Sequence, residues 1–269
     1  MAAYLYSLDG GRFLPTEQTG SPWSTTSQHG GPVNALLMRT AEQKAAEAGM
    51  RVARLTVDIL KPVPMAPLVL EADFIRQGRR LAVIDATLAR DDDGAPVAIA
   101  RAVALKEHPN QAPLFNPPAG PVPGPEDLPD HELVSAARRE SGPPGFHLTI
   151  HMRHGPSLEN TITWFTWSQD LVADEPVSPA QRCAALCDLT TVASGRLRLS
   201  APGTWDNTQR FDMLNTDTTV HQFRPPVGEW FGFSDSFIAD HHGIGVAEVT
   251  LYDIRGCLGR CVQSMASNA

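Results

Sequence analysis

Residues 55–62 read LTVDILKP and residues 218–225 read TTVHQFRP. Val57 aligns with Val220, Lys61 with Arg224 and Pro62 with Pro225, each pair 163 positions apart. The correspondence continues downstream. After each basic-Pro pair come an extended run, a polar turn (RQGRR at 76–80, ADHHG at 239–243) and a second strand, all at the same offset. Each second strand ends in a tight turn suited to a hairpin, DDDG at 91–94 and DIRG at 253–256. A third apolar strand follows, PVAIARAVAL at 96–105 and CLGRCVQSMA at 257–266, rich enough in apolar residues to be largely covered. Here the offset slips by one, Gly94 matching Gly256. Two copies of three consecutive strands with almost no insertion are most economically explained by duplication.

Each copy carries a helix upstream. In HGGPVNALLMRTAEQKAAEAG, residues Val33, Leu36, Leu37 and Thr40 fall at i, i+3, i+4 and i+7; Pro32 suits the first turn and Gly49 the stop. In SPAQRCAALCDLTTVASG, Ser178 reads as the N-cap, Pro179 as the first helical residue and Gly195 as the terminator. Its middle is almost wholly apolar, so it is expected to be buried. Short extended pieces precede the helices: YLYSL and SPWST in the first copy, HLTIHMRH and TITWFTWSQD in the second. The unit is therefore strand, helix, then three or more antiparallel strands. A helix with apolar residues most of the way round needs a sheet curled about it, since a flat sheet would leave part of that surface wet. The fold class is α+β, a double hotdog: residues 1–107 and 131–269 form the two units, and the Pro- and Gly-dense stretch at 108–130 links them. Joining the two sheets edge to edge removes an exposed edge and makes the halves one body.

Bulk properties narrow the function. The 269 residues, 42% hydrophobic and 19% charged, are those of a globular protein with a substantial core. A formal net charge of -8, with no Lys/Arg run, argues against nucleic acid and anionic membrane as partners. The start MAAYLYSLDGGRF lacks a basic segment followed by an apolar one, and no window approaches a membrane span, which reads as a cytosolic chain. Cys183 and Cys187, and Cys257 and Cys261, are each spaced i, i+4 inside apolar segments. They read as small hydrophobes rather than as metal ligands, which more often form closer pairs in loops.

The order of elements, with HGGPVNALL opening the first helix, DLT within CAALCDLT in the second, the strand end FRPPVGEW and the late LYDIRGCLGRCVQ, resembles the acyl-CoA thioesterase II family of double hotdog enzymes, including its actinobacterial-type relatives. The resemblance covers nearly the whole chain. It implies an acyl-CoA substrate, no cofactor beyond the CoA of that substrate, and assembly into a homo-oligomer. It further implies that an Asp of the second helix, a Thr or Asn of the next strand and a Gln of the last strand position a water against the thioester carbonyl. Carried over by position, these are Asp188, Asn215 and Gln263. Asn215 stands where the enterobacterial-type members show Thr, with Thr216, Thr218 and Thr219 close by.

These residue types suit the reaction. A thioester needs an aligned water and a stabilised oxyanion more than a strong nucleophile. A carboxylate can orient the water and take its proton, and carboxamides can fix its remaining hydrogen bonds. Asp188 lies among Ala184, Ala185, Leu189 and Val192. Burial there would make it a stronger base unless local donors offset the effect; a structural Asp facing Thr191 or a backbone donor is the plain alternative. An ordinary edge Gln is the alternative for Gln263, and a turn Asn for Asn215. Gly30 and Gly31 at the first helix start could offer N–H groups to the oxyanion, or simply fit a tight entry. His29 could touch substrate, although a packing or surface histidine is the commoner case. The matching stretch of the first helix, ALLMRT, has no carboxylate, which predicts one site per chain. Arg224 could meet a CoA phosphate, although an Arg before Pro at a strand end is more often a solvated or paired surface group. Two other readings stay open: an acyl-CoA binding protein without turnover, and a hotdog hydratase or dehydratase, which needs an Asp and a His close together near a helix start, although His29 is not accompanied in the sequence by the expected Asp. No G-x-S-x-G elbow is present for a serine hydrolase.

Overall fold

A computed structural model describes residues 4–109, 111–113, 115, 122–134, 140, 142–155, 162–191, 193–194 and 213–267. The first half forms β1 (Tyr4–Asp9), β2 (Arg12–Pro15), α1 (Gly30–Glu47), β3 (Arg51–Ile59), β4 (Leu68–Gln77), β5 (Leu81–Arg90) and β6 (Pro96–Leu105). The second forms β7 (Asp130–His131), β8 (Ile150–His154), β9 (Thr163–Trp167), β10 (Asp170–Val172), α2 (Pro179–Cys187), β11 (Met213–Asn215), β12 (Asp217–Gln222), β13 (Phe231–His241), β14 (Ile244–Asp253) and β15 (Gly256–Ser267). All the strands belong to one sheet in the order β10-β1-β2-β4-β5-β6-β3-β12-β15-β14-β13-β9-β8-β7, with β11 paired to β15. This is the double hotdog.

The duplication is written into the hydrogen-bond register. At the central seam β3 runs antiparallel to β12, and Thr56 faces Thr219, its own counterpart at the 163-residue offset, with the two hydroxyls 3.2 Å apart. A pseudo-twofold axis therefore passes through that pair. It places Asp58 opposite Asp217, and Arg54 opposite His221. The like charges have consequences: burial and the facing Asp217 push the Asp58 carboxyl up from its ordinary value, and burial with the Arg54 charge pushes His221 down. A second seam joins the halves where β1 pairs in parallel with β10. At the ADHHG turn, His242 and Gly243 both have positive φ, 50° and 81°, and link His241 to its partner Ile244 as a two-residue hairpin.

The helices lie antiparallel against one another inside this sheet, since the start of α1 meets the end of α2 while Glu42 of α1 meets the start of α2. The core joins Leu36, Leu37 and Met38 of α1 and Cys183, Leu186 and Cys187 of α2 to Leu55, Ile84, Phe165, Phe231 and Leu251 from the strands. Every cysteine is free; Cys183 and Cys187 are packed in this core with their sulfurs 4.0 Å apart.

Several local expectations are corrected. SPWST is not extended: residues 21–27 form a loop closed by Ser21 N–H on the Ser27 carbonyl. HLT of HLTIHMRH begins as a 3-10 turn, Phe146–Leu148, and the strand starts at Ile150. The second helix does not run unbroken past Asp188, which caps α2 before a further short helical stretch. Its proposed terminator Gly195, Val192 beside Asp188 and part of the 108–130 linker lie outside the described residues.

Candidate active site

Asp188 ends α2, and its carboxylate reaches the first turn of α1. The two-helix approach requires glycine at that point: a Cβ on Gly30 would fall onto the Asp188 carboxylate, 2.8 Å from Cγ. Asp188 is only 7% exposed, yet it does not stand alone among apolar neighbours. The Asn215 amide donates to its Oδ1 at 2.8 Å, and His29 Nδ1 lies 2.8 Å from its Oδ2. Three distant segments, the turn after α2, strand β11 and the α1 N-cap, thus converge on one carboxylate. His29 and Asn215 are partly exposed and define the open side.

The Gly31 N–H also lies 3.1 Å from His29 Nδ1. One ring nitrogen cannot donate to Asp188 and accept from Gly31 at once. A lone pair facing a carboxylate at 2.8 Å is repulsive, so the hydrogen lies between Nδ1 and Asp188. The Gly31 N–H is then left unengaged at the positive end of α1, where an anion is favoured. Gly31 has a packing duty as well, because a Cβ there would strike the Phe146 ring and the Ala185 carbonyl. Phe146 in turn sits edge-on to His29, with ring centroids 5.4 Å apart.

Gln263 is brought to the same place but differently engaged. Its oxygen accepts from the Thr191 N–H at 2.8 Å and the Thr191 hydroxyl at 2.7 Å. Its NH2 group donates to the Cys187 carbonyl at 3.1 Å and to the Thr218 hydroxyl at 2.9 Å. A carboxamide has two donors and two acceptor sites. All four are used, and the residue is fully buried. Gln263 therefore ties the 187–191 turn to β12 and β15, which holds Asp188 from behind. Thr191 and Thr218 escaped the sequence reading as partners of Gln263; the TT of DLTT and the first Thr of TTVHQ were the available signals.

The other end of the helix pair is unlike this one. Glu42 of α1 accepts from the Ser178 hydroxyl at 2.7 Å and the Gln181 amide at 2.9 Å, capping α2; burial raises its carboxyl, partly offset by those two bonds. The first helix does present a carboxylate to its neighbour, then, two residues beyond ALLMRT. The strand counterpart of Gln263 is Ala102, since Thr56 pairs with Arg101 just as Thr219 pairs with Val262. Arg224 is wholly occupied: both Nη atoms bond the buried Asp253 carboxylate at 2.6 Å, and its Nε and Nη2 reach the Cys257 and Gly256 carbonyls. It fixes the DIRG turn rather than presenting a charge to a ligand. Among the described residues no group of His, Cys, Asp and Glu is placed to hold a metal ion, and no helix is long and apolar enough to cross a membrane.

Fold and site together define a double hotdog protein with a carboxylate at a helix start. Residues 19–105 match the acyl-CoA thioesterase N-terminal domain and residues 109–267 the acyl-CoA thioesterase C-terminal domain. The chain belongs to this acyl-CoA thioesterase family. Among solved structures it is similar to a Novosphingobium aromaticivorans protein (20% identity, TM-score 0.70, 97% of each chain covered). It is also similar to a hot dog fold protein of Alicyclobacillus acidocaldarius (21%, 0.66, 98% of this chain and 96% of that one) and to acyl-CoA thioesterase II TesB2 of Mycobacterium marinum (15%, 0.62, 97% and 93%). At such identities the likeness is one of fold. A search of curated proteins gave no match.

Proposed function

We propose that this chain hydrolyses acyl-CoA thioesters with a water activated by Asp188. The observation that carries the reading is the convergence of Asn215 and His29 on a buried carboxylate at the start of α1. Asp188 takes a proton from the water as its oxygen bonds to the thioester carbon. The carbonyl electron pair moves onto oxygen, facing the first-turn N–H groups of Gly30 and Gly31. As the intermediate collapses, the C–S bond breaks, and the sulfur leaves with the proton from Asp188, giving a carboxylic acid and CoA. Asn215 and His29 fix the two carboxylate oxygens, and Gln263 fixes the turn that carries them. Family membership supports acyl-CoA as the substrate; assembly into a homo-oligomer belongs to the same reading.

A second reading has gained support. The sequence lacked an Asp beside His29, which told against a hydratase; the fold supplies one from the other half, Asp188. An Asp and a His at a helix start could handle a proton and a water across a double bond. One experiment separates the possibilities: thiol release from short-, medium- and long-chain acyl-CoAs, with enoyl-CoA absorbance followed in parallel, for the wild type and Asp188→Ala. Thiol release lost in the variant supports hydrolysis. Change in the enoyl absorbance without thiol release supports the hydratase, and binding with neither signal makes the chain an acyl-CoA binding protein.

A further inference from the structure

The rim of the site is built from two segments laced together. The Gln28 N–H donates to the Val63 carbonyl at 2.8 Å, the Gln28 amide to the Pro64 carbonyl at 2.7 Å, and the Met65 N–H to the Thr26 carbonyl at 3.0 Å. At one end this rim leads into His29. At the other, the Ile59 N–H bonds the Thr216 carbonyl, next to Asn215. Residues 59–65 therefore span from one Asp188 partner to the other, and the 21–28 loop stands against them.

Two side chains on this rim, Trp23 and Lys61, are exposed and make no ion pair or ring contact among the described residues. Trp23 is 61% exposed, although its loop is laced by local hydrogen bonds: the Trp23 N–H bonds Ser21 Oγ, the Thr26 N–H bonds Ser24 Oγ, and the Ser24 and Thr26 hydroxyls lie 2.9 Å apart. A large aromatic held out on a hydrogen-bonded loop forgoes the burial an indole ordinarily gains. Lys61 is exposed and forms no ion pair among the described residues. Its counterpart in the duplication, Arg224, is locked onto Asp253. The carboxylates Asp58 and Asp217 face each other on the side of the seam opposite Val57 and Thr218, away from the core. In a chain of net charge -8, a lone unpaired cation on the rim is a local invitation to an anion.

From these observations, and resting on the hydrolase reading for the reacting end, we infer that Trp23 and Lys61 form a subsite for the nucleotide end of CoA, the indole stacking on adenine and the ammonium meeting a phosphate. The subsite accounts for the asymmetry between the two basic-Pro positions: Arg224 serves the fold, and Lys61 is free to serve the ligand.

The test uses the whole chain. Thiol release is measured with butyryl-CoA and lauroyl-CoA and with the matching acyl-pantetheine thioesters, which keep the reacting group and lack the nucleotide. Trp23→Ala and Lys61→Glu should each raise KM for the CoA thioesters about tenfold with kcat unchanged, and leave the pantetheine thioesters unaffected. No change with CoA thioesters, or an equal change with both substrate types, overturns the subsite. Calorimetric titration with CoA alone reads the same contacts without turnover. About tenfold weaker binding by Lys61→Glu supports them, whereas equal binding, or no binding by the wild type, overturns them. Absence of thiol release with CoA binding intact tells against hydrolysis and leaves the subsite standing.

Discussion

Replacing Gln263 by Leu keeps the apolar volume and removes five hydrogen bonds. The hydroxyls of Thr191 and Thr218 can rotate toward other acceptors, but two main-chain groups cannot: the Thr191 N–H loses its acceptor, and the Cys187 carbonyl keeps only the weak 3.8 Å contact of the Cys261 thiol. At about 2 kcal/mol for each buried main-chain group left unpaired, the loss is about 4 kcal/mol, a large share of the roughly 5–15 kcal/mol that holds a domain together. Asn215→Ala removes the amide bond to Asp188 from a half-buried residue and should cost about 1 kcal/mol. The two substitutions should therefore separate in urea unfolding monitored by far-ultraviolet circular dichroism. Gln263→Leu should shift the midpoint strongly, and Asn215→Ala should shift it little while lowering thiol release. A Gln263→Leu protein as stable as the wild type would refute the assignment of Gln263 as the residue that holds the Asp188 turn.

Other consequences follow from the same contacts. Gly30→Ala drives a methyl group onto the Asp188 carboxylate, so kcat should fall about a hundredfold while the melting temperature changes by only a few degrees; an unchanged kcat would show that the carboxylate need not lie against α1. Asp58→Asn removes a like-charge pair at the central seam and should raise the melting temperature by about 1–2 °C at neutral pH. Because the folded Asp58 carboxyl is raised above 3.8, the folded state holds its proton more readily, and stability is lost as pH rises through that shifted range. The gain in the variant should accordingly vanish below about pH 3.8 and shrink in high salt; a gain that persists in acid would point to another cause.

The architecture was legible because duplication leaves repeated side chains at a fixed spacing, and the seam then placed Thr56 against Thr219 at that spacing. The positions of Asp188, Asn215 and Gln263 followed from resemblance. Their division of labour did not, since hydrogen-bond saturation at Gln263 depends on how Thr191 and Thr218 turn inward. The His29 contact was hidden for a different reason. His29 and Asp188 lie in different halves, and only the antiparallel packing of α1 on α2 brings the N-cap of one against the end of the other. Arg224 was ambiguous for want of its partner, because Asp253 in a DIRG turn looks like any turn acid until the guanidinium is seen clasping it.

Thiol release by Asp188→Asn measures the central claim most directly, since the substitution keeps the shape of the side chain and abolishes its capacity to accept a proton. With the fold verified by circular dichroism, the turnover rate should drop by about a hundred- to ten-thousandfold. A variant that releases CoA within a few fold of the wild-type rate would mean that the reaction does not pass through this carboxylate.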